Sequence, residues 1–151
     1  RTPDHGLCCE ARELHRSSQW QRVLALVEGR SLQPGLGLHA ILVGTHARAL
    51  QLPQAFGLLV DLQAVLPPGV ITYNLVLAAC EKCGQWRLAL ALMEMMQTVS
   101  VTPDVISYTA LMGACRRARH ARLALQFFEE MMRAGHQPST VSCGAAMSAC
   151  D

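Results

Sequence analysis

Aromatic side chains are scarce in this chain: two Trp, two Tyr and three Phe make up 5% of 151 residues. Strands draw heavily on aromatic and β-branched residues, so a sheet-based fold is disfavoured from the outset. Charge is sparse too, at 16% with a net of +2, and that sum is too small to name a polyanionic partner by itself. Uninterrupted apolar runs are short, because Glu81, Glu94 and the stretch from Arg116 to Arg119 break the candidates. None approaches the roughly 18 residues that a membrane span needs, so no membrane partner is expected. No Gly-rich phosphate loop stands between a strand and a helix, and no nucleophile, base and orienter fall together. The chain therefore reads as a non-enzyme, without a cofactor or a small-molecule substrate. A lone C-x-x-C, Cys80 with Cys83, has no second pair and no histidine pair at ligand spacing, so no metal site is expected.

What is abundant is Ala, Leu and Met within a 51% apolar composition, a balance that favours helices. The seven cysteines are odd in number and follow no signal-peptide pattern. They read as thiols in a reducing compartment rather than as a disulfide framework. The chain opens on Arg1 and closes on Asp151 inside an apolar segment, so both ends read as cuts in a longer sequence.

Sliding the sequence against itself by 35 residues lays Val70 to Asp104 on Val105 to Ser139 without a gap, with twelve identities. A third copy begins at Thr140 and stops after one helix's worth. Residues 36–69 align at an offset of 34, and Gly6 to Gly29 at 66, with Gln19-Trp20 falling on Gln85-Trp86. The repeats thus run from about 4 to 34, 36 to 69, 70 to 104 and 105 to 139, with a partial unit over 140–151. In the clearest copy the spacing of Leu75, Val76, Ala79 and Cys80 predicts a helix over roughly Thr72 to Lys82, with Gly84 as its stop. A second helix is predicted over roughly Trp86 to Met96, with Pro103 redirecting the chain. Apolar residues surround much of both helices, so each hairpin must stack on its neighbours to be covered. The fold class is all-α, an α-solenoid of helix-turn-helix hairpins.

Two helical repeat families share this period. Of the tetratricopeptide signature only the second-helix alanine, Ala89 and Ala124, is matched. The openings Val70-Ile71-Thr72-Tyr73-Asn74 and Val105-Ile106-Ser107-Tyr108-Thr109, the Leu-Ala-Leu of each second helix, the Met-rich tail and the closing Pro103-Asp104 resemble the pentatricopeptide repeat family instead. That resemblance implies a right-handed superhelix whose first helices line the concave face, and single-stranded RNA as the partner, with one base read by each repeat. It implies work in a mitochondrion or plastid, in RNA processing, stability or editing. A scaffold that holds a protein or peptide partner is the alternative.

The resemblance also assigns places. The fifth and last residues of a repeat read the base: Asn74 with Asp104, and Thr109 with Ser139. Asn with Asp implies uracil, whose imino N–H a carboxylate can accept. The alternative for Asn74 and Asp104 is an ordinary cap and turn. Thr109 with Ser139 departs from the family's usual pairs, although Thr points toward a purine. The second residues, Ile71, Ile106 and Val141, would sandwich the bases, or else are plain core. The thirteenth place holds a cation in every copy, Arg16, Arg48, Lys82 and Arg117, and a recurring place becomes a stripe in a stacked array. Such a stripe would meet successive phosphates, although cations also suit helix C-termini. Cys80 recurs as Cys115 and Cys150, one period apart each, and so reads as a small core residue.

Overall fold

The computed structural model describes residues 36–65 and 68–147. Arg16, Cys150 and the repeat expected over residues 4–34 lie outside them. The chain divides into two compact units, Arg1–Pro68 and Gly69–Asp151. Every regular element among the described residues is a helix, and no strand occurs there. In the first unit, α1 (Leu36–Arg48) and α2 (Leu52–Val65) form an antiparallel hairpin with Leu42, Val43, Ala47, Ala55, Leu59 and Leu62 buried. Pro53 stands in the first turn of α2, where its missing N–H would have no helical partner anyway.

The second unit holds α3 (Val70–Cys83), α4 (Trp86–Thr98), α5 (Val105–Arg117), α6 (Ala121–Arg133) and α7 (Thr140–Met147). The first of these starts two residues earlier than the apolar spacing predicts. Gly69, extended at φ −73° and ψ 165°, is its N-cap, and Val70 and Ile71 are already helical. Successive first helices pack on one another, α3 on α5 and α5 on α7. Among the described residues, no Cα of α4 comes within 8 Å of α6. Helices that touch on one side of a layered array and part on the other put the touching layer inside the bend. The residues fit that layout. Inner α5 buries eight residues, among them Ala110, Gly113, Ala114 and Cys115, small enough for close backbone approach, whereas outer α6 buries Ala124 and Met131.

Repeat logic extends to the turns. The residue closing α1, α3 and α5 is left-handed at Leu50 (φ 59°), Gly84 (φ 67°) and Arg119 (φ 60°), and the one after α4 and α6 at Ser100 (φ 58°) and Gly135 (φ 83°). Only glycine adopts that conformation without a Cβ clash. Ser100→Gly is therefore expected to raise stability by about 1 kcal/mol and Tm by about 5 °C. A thermal melt followed by circular dichroism reads this directly, and a lower Tm would refute the strain argument. The tyrosines show what happens when one copy drifts. Tyr108 donates to Glu130 at 3.5 Å, but Met95 occupies the place of Glu130 in the preceding repeat, and the buried Tyr73 hydroxyl has no hydrogen-bond partner.

Candidate nucleic-acid interface

Along an α-helix, residues three or four apart share a face. Ile71, Asn74, Ala78 and Lys82 lie at such spacing on α3, and Ile106, Thr109, Gly113 and Arg117 repeat it on α5. Each inner helix thus carries one line with an aliphatic residue, a polar residue, a small residue and a cation. The aliphatic residues are not core. Ile71 is 75% exposed, Ile106 62% and Val141 68%, more than any other large apolar residue except Met147 among the described residues. A large apolar side chain left in water at the same place of three successive first helices is available for contact with a ligand. Lys82, Arg117 and Arg48 are exposed as well.

The polar places divide into a joined pair and an unjoined one. Asn74 Nδ2 donates to Asp104 Oδ1 at 3.1 Å and to Oδ2 at 3.4 Å, tying one first helix to the start of the next. Asp104 is the N-cap of α5, and its Oδ1 accepts from the Ser107 N–H at 2.9 Å. Ser107 Oγ in turn accepts from the Asp104 N–H at 3.2 Å, closing a capping box. The same hydroxyl donates to Asn74 Oδ1 at 2.6 Å, with Asp104 Oδ1 3.0 Å away. Cap and base-reading candidate are therefore one residue, and the two readings of Asp104 do not compete.

Burial pushes the Asp104 carboxyl upward, but the Ser107 N–H, the Asn74 amide, the Ser107 hydroxyl and the Ile106 N–H together outweigh it and hold the acid below its ordinary value. The group is ionised at neutral pH and acts purely as an acceptor. Because its pKa is depressed on folding, the stability it contributes is present above the ordinary carboxylate range and lost as pH falls through the folded value.

Thr109 and Ser139 do not meet. Thr109 Oγ1 donates to the Val105 carbonyl oxygen of its own helix at 2.6 Å. Ser139 pairs with Ser142 as a second capping box, its N–H donating to Ser142 Oγ at 2.8 Å and its Oγ accepting from the Ser142 N–H at 3.1 Å. A threonine hydroxyl sits on Cβ and falls back on its own turn, whereas the asparagine amide is one atom further out and reaches the next repeat.

Ser107 is the participant that the family's fifth-and-last scheme passes over. Its signal is present in the sequence, since Asp104-x-x-Ser107 and Ser139-x-x-Ser142 both have the spacing of a capping box. Two of the described cysteines behave as core. Cys80 and Cys115 are fully buried, and burial pushes their thiols up to about 12 and about 11. A thiol reagent at pH 8 is expected to modify exposed Cys83 readily and to leave Cys80 and Cys115 far slower, because burial both shields their thiols and holds them protonated. Equal rates, read by peptide mass mapping, would contradict their burial. No group of His, Cys, Asp or Glu among the described residues is placed to hold a metal, and no described helix is long and apolar enough to cross a membrane.

Residues 68–117 and 103–150 match the model of the PPR repeat family. The chain overlays on the crystal structure of the pentatricopeptide repeat protein PPR10 in complex with an 18-nt psaJ RNA element, with a TM-score of 0.82 and 27% identity, over 97% of this chain and 22% of that one. PPR10 from maize gives a TM-score of 0.81 and 28% identity, over 98% and 22%. Nuclear proteinaceous RNase P 2 (PRORP2) from A. thaliana gives 0.84 over 98% of this chain and 34% of its own, but 13% identity carries the fold alone. This chain spans about a fifth of the PPR10 chains' length. No curated protein matches it.

Proposed function

This chain belongs to the PPR repeat family, and from that premise we propose that it binds single-stranded RNA, sequence-selectively, with the repeat over residues 70–104 facing uracil. The observation that carries this is the joined pair. Asn74 Nδ2 reaches both Asp104 oxygens and, sharing one N–H between them, has a second N–H for a ligand, while Asp104 Oδ2, bonded at 3.4 Å, retains a lone pair for one. A donor beside an acceptor complements the edge of uracil, where an imino N–H stands beside a carbonyl oxygen. The exposed aliphatic residues Ile71 and Ile106 share the face and supply contact area on either side of a base, and Lys82 and Arg117 supply cations at its end. A PPR10 structure with an RNA element, similar over nearly all of this chain, supports RNA as the ligand class.

In this reading the repeat over residues 105–139 discriminates less, because Thr109 and Ser139 are each satisfied within their own turn. Val141 and Arg48 take the sandwiching and phosphate roles in the flanking repeats, as does Arg16. Family membership supports work in a mitochondrion or plastid, in RNA processing, stability or editing, with these residues binding rather than catalysing. The test is a titration of the protein with a single-stranded RNA pool and with duplex of the same composition, at several salt concentrations. Binding to the single strands with a negative salt slope is the expected result. Equal affinity for duplex, or no binding to either, favours a protein or peptide partner instead.

A further inference from the structure

We infer that Ser107 is a positioning residue that sets the base choice of the Asn74–Asp104 pair by fixing which end of the Asn74 amide faces the ligand. The inference rests on the base-reading role proposed above. An asparagine amide presents a donor or an acceptor depending on a half-turn about its last torsion, and a reader free to make that turn would accept bases of opposite pattern.

Three hydrogen bonds settle the turn here. Asp104 Oδ1 already accepts from the Ser107 N–H at 2.9 Å and from Asn74 Nδ2 at 3.1 Å. The single Ser107 hydroxyl proton therefore goes to Asn74 Oδ1, the nearer acceptor at 2.6 Å. Ser107 cannot swing away, because it is fully buried and its oxygen is held by the Asp104 N–H at 3.2 Å. Asn74 Oδ1 is thereby occupied inside the protein, and the amide nitrogen is what remains for the base. In the turned arrangement Asn74 Oδ1 would lie against the Asp104 carboxylate, and the site would offer two acceptors. That pattern suits the exocyclic amino group of cytosine or adenine rather than the imino N–H of uracil. Ser107 thus acts against the amino-bearing bases without touching the ligand.

The feature is local to this repeat boundary. At the boundary before it the third residue is Thr72, but the cap is Gly69, which has no side chain to share. At the boundary after it Ser142 and Ser139 form the box, but Thr109 does not reach them. Of the three boundaries described in this unit, only the one at Asp104 links cap, third residue and fifth residue.

The experiment uses the whole chain with a randomised single-stranded RNA pool, sequencing what is bound. The column read by this repeat is the one that swings from uracil toward cytosine under Asp104→Asn. Ser107→Thr and Ser107→Val have the same shape and differ in the hydroxyl. The threonine variant is expected to keep the uracil-to-cytosine ratio, and the valine variant to reduce it about fivefold, the worth of one hydrogen bond of ordinary strength. Ser107→Ala should fall with valine. If valine and alanine weaken all columns alike and lower Tm while the ratio holds, Ser107 is only a helix cap and the inference is overturned. A wild-type chain with no uracil preference in any column overturns the base-reading proposal along with it, so the two failures are told apart.

Discussion

Replacing Cys115 by Asp is expected to lower the stability of the Gly69–Asp151 unit by about 3 kcal/mol or more, a large part of the roughly 5 to 15 kcal/mol that holds a domain together. Cys115 is fully buried in the last turn of α5, the helix packed by α3, α4, α6 and α7 at once. Burial alone already holds its thiol up to about 11, so a carboxylate there has neither water nor a partner. It must either take a proton or open the helix. Urea unfolding of Cys115→Asp against Cys115→Ala separates the charge from the lost volume, since alanine removes the sulfur without adding a charge. Similar midpoints for the two would mean that water reaches this position.

Changing Lys82 and Arg117 together to Gln is expected to weaken binding to every single-stranded RNA alike, on the order of tenfold at 0.1 M salt. It should also flatten the salt dependence by about 1.4 in log–log slope, two contacts at about 0.7 each. Both side chains are exposed and lie one repeat apart at the ends of the inner helices. A loss confined to some sequences, or an unchanged slope, would show that these cations do not meet phosphates and serve only the negative ends of their helices.

Much of the fold was legible because a stacked hairpin array writes the same local physics every 35 residues. Identical spacings at Cys80 and Cys115, or at Ala89 and Ala124, mark the core without any knowledge of the third dimension. The helix stop at Gly84 was legible for the same reason. Its counterparts Leu50, Ser100 and Arg119 were not, since nothing in those side chains advertises a left-handed turn, and packing imposes it. The exposure of Ile71, Ile106 and Val141 could not be read from periodicity either. Helices that are apolar nearly all round have no polar face to show which side meets water, and only the array decides that.

At the candidate site, sequence alone assigned Asn74 and Asp104 to cap, turn or base reading as alternatives. These need not exclude one another, because a helix cap placed at a repeat boundary sits within reach of the fifth residue of the preceding repeat. The fate of Thr109 and Ser139 was hidden because side chains of nearly equal polarity differ in reach by one bond. Ser107 was passed over because its spacing speaks of a capping box, and a capping box is ordinarily a local affair.

The measurement that tests the account most directly is base choice at Asn74 and Asp104. With this repeat set in a longer array, affinity is measured for four RNAs that differ only at the facing base. Uracil is expected to bind roughly tenfold tighter than cytosine, as one discriminating contact of about 1 to 2 kcal/mol requires. Asp104→Asn supplies a donor for cytosine's ring nitrogen and should move the preference toward cytosine, and Asn74→Thr with Asp104 retained should move it toward guanine. Four equal affinities that neither substitution reorders would contradict the account and leave a protein-binding scaffold as the better reading.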